Sequence, residues 1–441
     1  MRQDHGWFRI AAWSIFWIVT LVGTGKGLIS IIRSSPDAMH DFVVPYAGAK
    51  CLLIGCDPYD PVQVHQTFAD AGGQRVDRVN WDYTPPVYPP STLIELLPFA
   101  FLRYHSARMV WFLISNLVFI AAFLLWTGLF VPTYRPWVAL LGAVLRVSKA
   151  EAFATDAGQA SFIAVGLAVI ALWCFIRGRH TLSGWICLGI AMGLKPQLAG
   201  VFFLYLILRP IFRWSAVKAG IIAVALLLIG AVWLNLSPPA THWRAELSEQ
   251  IRMSQQPGAI NDPSVANFSS QEIVDAQAAW ALVTRNPSNY NLLAYLLFAA
   301  LLIPFAMRAS AGAETNTRMF AALGAIACIG MLPVYHRVYD LLILVVAFPS
   351  LICFFVQRQK LRWVATAAMC VALVPGPVIN RVPPIHSMDL AWHVQSLAVI
   401  ALAVTYLVAM YVCDDECGAV YGRVVQLGSI KKNAVPTVSA K

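Results

Sequence analysis

The densest group of chemically useful side chains comes directly after the first long apolar run. Asp37, His40 and Asp41 lie there within about one helical turn of each other. A carboxylate at the end of a membrane helix is held more rigidly than one in mid-loop. It could act as a general base that takes a proton from a substrate hydroxyl. Helix capping by Asp37 or Asp41 accounts for the same residues equally well.

Further polar residues lie at the boundaries of later apolar runs. Gln159 opens one such run, and its amide could donate to a sugar hydroxyl or satisfy a neighbouring helix. Lys195 and Arg337 could each hold an anionic lipid phosphate, with His336 as a titratable donor beside Arg337. Snorkelling, or pairing with Asp340 or Asp156, is the structural alternative.

A proline-rich and aromatic segment runs from Trp81 to Pro90. Its proline density predicts a stiff, extended chain, and its aromatic rings suit the headgroup level of a membrane. Structural anchoring is therefore the favoured interpretation of this segment.

Composition indicates that these residues belong to a membrane protein. The chain is 59% hydrophobic and 12% charged, with a mean hydropathy of +0.65, whereas soluble proteins carry about 25% charged residues. Long apolar runs must be helical because lipid offers the backbone no hydrogen-bond partner. The sequence predicts an all-α polytopic membrane protein with about twelve transmembrane helices. These lie near residues 9–32, 108–130, 137–148, 160–176, 181–195, 197–209, 216–236, 291–307, 319–333, 340–356, 363–375 and 390–412.

The orientation depends on residues 89–102, which are apolar but too short to cross comfortably. If they lie in the interface, basic residues concentrate on one side of the membrane. The short loops of the other side then hold only Lys149, Lys195, Arg337 and Arg381. The positive-inside rule favours this arrangement. It places both termini in the cytoplasm and turns two large loops outward, residues 33–107 and 237–290. Residues 1–412 then form a single transmembrane domain, and 413–441 form a cytoplasmic tail.

Several classes of site are absent from the sequence. The net charge of +10 comes from short clusters between apolar runs, which does not predict nucleic-acid binding. No Walker motif, strand-associated G-x-G-x-x-G or zinc-spaced Cys/His set occurs, so no cofactor or metal is predicted. A phosphorylated donor would have to be a lipid approached from the membrane. Cys51 and Cys56 share an outer loop and could form a disulfide there.

These residues resemble glycosyltransferase family 87, polytopic enzymes of the C-fold class that use polyprenyl-phosphate sugars. The matching stretches are D-x4-Y-x8-G-x2-P-Y from Asp41 to Tyr59, Tyr88-Pro89-Pro90, Gly158-Gln159, and Gly184 with G-L-K-P from Gly193 to Pro196. They cover about the first half of the chain. The second half matches mainly in hydropathy and in a polar turn with His336.

The resemblance implies a C-fold catalytic domain that performs an inverting sugar transfer on the outer face. The implied donor is a polyprenyl-phosphate hexose, mannose being the commonest sugar in the family, and the acceptor is a lipid or glycan. Asp41 and His336 are the implied catalytic residues, and Arg337 and Lys195 would bind the donor phosphate. The implied substrate-binding residues are Tyr46, Tyr59, Tyr88, Gln159 and Asp37.

A second class of function also suits about twelve spans, namely a transporter or a lipid-linked oligosaccharide flippase. The lack of an internal repeat and the scarcity of ionisable residues in mid-span argue against it. A polymerase or ligase of surface polysaccharide is a third class, separable by the length of its product.

Overall fold

Helices form the regular secondary structure in the part of the chain that the computed structural model describes. That part comprises residues 6–33, 38–74, 86–264, 266–267, 269–284, 286–311, 315–374 and 389–413. Its α-helices, in chain order, are α1 (Gly6–Ile32), α2 (His40–Ile54), α3 (Pro61–Asp70), α4 (Pro90–Ala100), α5 (Tyr104–Thr127), α6 (Arg135–Val147), α7 (Lys149–Ala157), α8 (Ser161–Arg177), α9 (Thr181–Leu194), α10 (Pro196–Leu208), α11 (Arg213–Leu236), α12 (Trp243–Ser254), α13 (Ala276–Ala281), α14 (Pro287–Ser310), α15 (Asn316–Gly330), α16 (Phe348–Val356), α17 (Leu361–Ala372) and α18 (Asp389–Val412). Three 3₁₀-helices span Pro238–Ala240, Ser270–Glu272 and Val338–Ala347.

Several helices are long and apolar enough to cross a bilayer. Six segments in the described ranges qualify: Gly6–Ile32, Tyr104–Thr127, Arg213–Leu236, Pro287–Ser310, Val338–Val356 and His393–Val412. Helices α7 and α8 together would make a seventh, although they are bent by 116° relative to each other. The chain is therefore a multi-pass membrane protein, as its composition predicts.

Each of the twelve predicted spans overlaps helical structure, but half of these helices are short. They are α6, α8, α9, α10, α15 and α17, and they contain 12 to 17 residues. A helix needs about 20 residues to cross the hydrocarbon layer without help from its neighbours. The count of about twelve crossings and the C-fold therefore stay predictions.

Residues 89–102 do not form a spanning helix. They contain the 11-residue α4, which packs against α2 and α11. The hydroxyls of Ser91 and Thr92 donate to the carbonyl oxygen of Gly193, at 2.9 and 3.1 Å. Helix α4 thus supplies hydrogen-bond donors to a backbone carbonyl at the C-terminal end of α9. These bonds stabilise the junction between α9 and α10.

The segment Val338–Val356 lies in the centre of the protein. In the apolar 18-residue stretch of this segment, 94% of the residues are buried, against 17% in the corresponding stretches of α1 and α11. It begins as a ten-residue 3₁₀-helix, which is long for that type, and continues as α16. Polar side chains at its start are therefore held inside the protein rather than against lipid.

The outer loops predicted at 33–107 and 237–290 contain short helices, α2 to α4 in the first and α12 and α13 in the second. In the first loop α2 ends at Ile54, and Gly55 adopts a left-handed conformation at φ 82°. This turn brings Cys56 back to Cys51, with which it forms a disulfide. The outward orientation and the 1–412 domain boundary remain predictions, and residues 414–441 lie outside the described ranges.

Candidate active site

Asp41 lies in the first turn of α2, where the helix N-terminus favours negative charge. Met39 is the N-cap residue, and no side chain in the described ranges caps this helix end. Asp41 is thus not engaged as a helix cap. Its side chain is 25% exposed, and its nearest basic group is Nε2 of His40, 3.6 Å from Oδ1. Asp37 lies outside the described residues.

Gln159 is the closest partner of Asp41. Its Nε2 donates a short hydrogen bond to Oδ2 of Asp41, and the Gln159 side chain is buried. The contact depends on Gly158, which turns the chain between α7 and α8 at φ 69°. A Cβ at Gly158 would collide with Met39, whose N–H donates to the carbonyl of Asp156 at 2.6 Å. Glycine is therefore required here both for the turn and for the close approach of the two loops.

A buried ion pair lies at the junction of α9 and α10. Nζ of Lys195 is 2.8 Å from Oδ1 of Asp340, at the start of the central segment. Lys195 also donates to Oγ of Ser161 at 2.9 Å, and Ser161 donates to the same Asp340 oxygen at 2.6 Å. The ammonium lies 4.6 Å from the ring centroid of Tyr339. The pairing with Asp340, which the sequence offered as a structural alternative for Lys195, is therefore present, and phosphate binding by Lys195 stays a prediction.

His336 extends this network. Its Nδ1 is 3.0 Å from Oδ2 of Asp340, and because a carboxylate only accepts, Nδ1 carries the proton. The side chain is fully buried, and Nε2 has no hydrogen-bond partner in the described part of the chain. Asp340 therefore orients the imidazole and leaves Nε2 as its unoccupied polar atom.

Arg337 is held by four acceptors. Its Nη1 donates to Oε2 of Glu272 at 2.6 Å, and Nε donates a short bond to the hydroxyl of Tyr335. Nη2 donates to the carbonyl of Ile260 at 3.1 Å and to Oγ of Ser269 at 3.3 Å. Arg337 thus ties the second outer loop to the polar turn before the central segment. The backbone reinforces this link through the bridge between Ile273 and Arg337.

Tyrosines join these groups into one cluster. Tyr88 donates to the backbone carbonyl of Asp41 at 3.3 Å. Burial, and after it the charge of Asp41, raises the pKa of Tyr88, so its hydroxyl stays neutral. Burial opposes the charge of Arg337, but Tyr335, Tyr339, Glu272 and Asp41 outweigh this effect and raise its pKa above the ordinary value. The two halves of the site adjoin because Gln159, which bonds to Asp41, lies two residues before Ser161, which bonds to Asp340.

Two of the predicted substrate-binding tyrosines lie apart from this cluster. Tyr46 is completely buried, donates to the carbonyl of Leu102 at 2.7 Å and packs against Tyr104. Tyr59 is 1% exposed and donates to the carbonyl of Tyr88 at 2.9 Å. Tyr46 therefore serves the core around α2, and Tyr59 holds the segment that presents Tyr88.

The structure also brings in residues that the sequence did not predict as site residues. They are Ser161, Glu272, Tyr335, Tyr339 and Asp340, together with Lys149, which interacts electrostatically with Glu272. The sequence indicated Asp340 only as an alternative ion-pair partner for the cations, although it stands four residues after His336. Glu272 could not be identified from its neighbours in the sequence, because its partner Arg337 is 65 residues away.

The arrangement has the parts of a group-transfer site. It combines a partly exposed carboxylate, an amide that orients it, and two buried cations whose charges are balanced by Asp340 and Glu272. Such a set can accept a proton at one point and stabilise developing negative charge at another.

Comparison with known proteins assigns the family. The model of glycosyltransferase family 87 matches residues 87–334, more than half of the 441-residue chain. This range includes Tyr88, Gln159 and Lys195, whereas Asp41 and the turn with His336 lie beyond its ends. No curated protein and no solved structure matches the chain. On the family match, which agrees with the multi-pass helical fold, this chain is a membrane glycosyltransferase that belongs to glycosyltransferase family 87.

Proposed function

We propose that the protein transfers a hexose, with mannose as the first candidate, from a polyprenyl-phosphate donor to a lipid or glycan acceptor. The transfer inverts the anomeric centre and takes place at the outer face of the cytoplasmic membrane, with both termini in the cytoplasm. Asp41 is the general base.

One observation carries the assignment of the base. Among the three carboxylates of the cluster, Asp340 is paired with Lys195 and Glu272 with Arg337, both in hydrogen-bonded ion pairs. Asp41 instead accepts from a neutral amide and remains a quarter exposed. A carboxylate without a tight cationic partner keeps its capacity to accept a proton, and its exposure allows a substrate to approach.

The reaction then runs in a single displacement. Asp41 takes the proton of the acceptor hydroxyl while that oxygen attacks the anomeric carbon of the donor sugar. The new glycosidic bond forms as the bond between the anomeric carbon and the phosphate oxygen breaks. The polyprenyl phosphate leaves with the bonding electrons, and the proton rests on Asp41. Attack opposite to the leaving group inverts the anomeric configuration.

The leaving phosphate requires positive charge or oriented donors. Lys195 uses two of its three N–H groups on Ser161 and Asp340 and has one left for a phosphate oxygen. Arg337 stays charged close to Asp41, and His336 adds an imidazole within the same network. Because both cations already have counter-ions, we infer that they act chiefly as preorganised donors and less as free charges.

Tyr88 and Gln159 are proposed to contact the substrates directly. Both donate to Asp41: the Tyr88 hydroxyl to the backbone carbonyl of Asp41, and Nε2 of Gln159 to its carboxylate. We propose that a hydroxyl that approaches the carboxylate contacts these two side chains.

The donor class is tested with purified protein in nanodiscs and a membrane lipid extract as acceptor. Radiolabelled mannose is supplied either on polyprenyl phosphate or on a nucleotide diphosphate. We expect a labelled product only with the polyprenyl donor, and nuclear magnetic resonance of the product should show the anomeric configuration opposite to that of the donor. Transfer from the nucleotide sugar, or retention of configuration, would contradict the proposal.

A further inference from the structure

A small polar cavity lies beside the candidate active site, between the second outer loop and the start of α14. Its volume is about 180 Å³. Pockets that hold drug-sized ligands measure about 300–1,000 Å³, so this one has room for a single small ring. Val334 and Tyr335 close it on the side of the polar turn.

Four primary amides line this cavity: Gln255, Asn261, Gln277 and Asn291. A primary amide offers both donors and acceptors, which is also the pattern of a sugar hydroxyl. Asn261 donates to Oγ of Ser254 at 3.1 Å, and the other three side chains have no hydrogen-bond partner within the described ranges. Their hydrogen-bonding groups are thus available to a ligand.

Aromatic rings and prolines form the rest of the wall. Tyr290, Tyr295 and Tyr335 line the cavity together with Pro263 and Pro287. Flat apolar surfaces of this kind suit the C–H faces of a pyranose ring, while the amides serve its hydroxyls. None of the described lining residues is charged, which favours a neutral ligand and disfavours a phosphate.

The loop that carries Asn261 is fixed in place by buried polar side chains. Asp262 accepts from the N–H of Gly258 at 2.7 Å and from the N–H of Ser264 at 2.9 Å. Asn267 donates to the carbonyls of Ile260 and Asp262, at 3.1 and 2.8 Å. The cavity wall is therefore preorganised, as a selective binding site requires.

Tyr335 connects the cavity to the active site. It lines the cavity and also accepts the short hydrogen bond from Nε of Arg337. A ring bound in the cavity would thus contact the tyrosine that is bonded to Arg337 of the candidate active site.

We propose that this cavity, the amide cleft lined by Gln255, Asn261, Gln277 and Asn291, binds one neutral sugar ring of the acceptor. The assignment rests on the proposed function. The donor sugar is bonded to a charged phosphate, whereas no charged side chain in the described part of the chain lines the amide cleft. The acceptor is thus the source of sugar that fits it.

Direct binding tests the amide cleft. Purified protein in nanodiscs, which avoids sugar-headed detergents, is titrated with the methyl glycosides of mannose, glucose, galactose and N-acetylglucosamine and with glucuronate. Binding is followed by saturation-transfer-difference nuclear magnetic resonance. We expect at least one neutral glycoside to bind and glucuronate to bind less tightly. Asn291→Ala and Gln277→Ala should each weaken binding about fivefold, the value of one lost hydrogen bond.

Asn289→Ala is the matched control, since Asn289 is exposed in the same helical turn and does not line the cleft. It should bind like the wild type. The proposal is overturned if no neutral glycoside binds, or if Asn291→Ala and Gln277→Ala bind it as tightly as Asn289→Ala does.

Transfer assays separate this proposal from the proposed function. We expect Asn291→Ala to raise the KM for the acceptor and leave the KM for the donor unchanged. If transfer depends on Asp41 but Asn291→Ala has the same acceptor KM as the wild type, the cleft proposal alone is overturned. Glycoside binding that depends on Asn291, in a protein that transfers no sugar, supports the cleft and overturns the proposed function.

Discussion

Nε2 of Gln159 donates a hydrogen bond to Oδ2 of Asp41 across 118 positions of the sequence. The contact joins the N-terminal turn of α2 to the entrance of α8. It exists because Gly158 lets the two loops approach, and Nε1 of Trp111 secures that turn by donating to the Gly158 carbonyl at 2.8 Å. Gln159 is therefore a positioning residue for Asp41 as well as a candidate substrate contact.

Replacement of Gln159 should reduce kcat without abolishing it. Gln159→Leu removes the donor but not the carboxylate, so we expect kcat to fall about tenfold, less than for general-base removal. Gln159→Glu places a like charge beside Asp41 and should lower the rate further at neutral pH. Steady-state kinetics with the polyprenyl donor measure both. Equal rates for Gln159→Leu and the wild type would show that the contact has no role in turnover.

The Lys195–Asp340 pair should separate stability from activity. Lys195→Met leaves a buried carboxylate without its cation and should destabilise the protein by about 3–5 kcal/mol. Adding Asp340→Asn removes the unpaired charge, so the double variant should recover much of the lost thermal stability. Its transfer rate should nevertheless stay about 10²–10³-fold below wild type, because the phosphate donor is missing. Recovery of activity together with stability would make the pair purely structural.

Glu95 on α4 should make stability depend on pH. Both its carboxyl oxygens are buried without a hydrogen-bond partner in the described chain, and its carboxyl packs against Gly193. Burial raises the pKa of Glu95 from 4.5 to about 9. The folded state therefore binds this proton more tightly than the unfolded state does, so this contribution to stability is complete below pH 4.5 and is lost as the pH rises through about 9.

Glu95→Gln is the matched control, since it is neutral at every pH and close in shape. Thermal unfolding from pH 5 to pH 9 should show the variant gaining stability relative to wild type as the pH rises. Parallel unfolding curves for the two proteins would indicate that the carboxyl is solvated.

The orientation makes a prediction about the Cys51–Cys56 disulfide. Disulfides persist on the oxidising side of the membrane. In intact cells these two thiols should therefore react with a maleimide only after reduction.

Reporter fusions test the same orientation. Fusions after Arg179 should report a cytoplasmic location, and fusions near Asp262 should report an outer one. The opposite pair of fusion results would invert the topology.

The helices were largely predictable from the sequence, because apolar runs in lipid have no alternative to helix. The break between α9 and α10 was predicted too, since the predicted spans 181–195 and 197–209 correspond to these two helices. The contact that stabilises this break was not predicted, because it comes from α4, elsewhere in the chain. Hydropathy measures only how apolar a segment is. It does not indicate which neighbouring side chains donate hydrogen bonds to the carbonyls at a helix end.

The candidate site was predictable in its polar residues and in one pairing, that of Lys195 with Asp340, but not in its other pairings. Asp41, Gln159, Lys195, His336 and Arg337 were all predicted, and all lie in one cluster. The counter-ion of Arg337 comes from a distant loop. Tyr46 shares the motif of Asp41, yet a side chain five residues along α2 points into the core. The shared motif did not indicate that the Tyr46 side chain faces the core.

The most direct test of the central claim compares Asp41→Asn with Asp37→Asn in purified, correctly folded protein supplied with polyprenyl-phosphate mannose. Both variants should keep the wild-type melting temperature. Asp41→Asn should lower the transfer rate by about 10²–10⁴-fold, the usual contribution of a general base, and Asp37→Asn should stay within a few-fold of wild type. Wild-type transfer by Asp41→Asn, or loss of activity in Asp37→Asn alone, would contradict the assignment of Asp41 as the base.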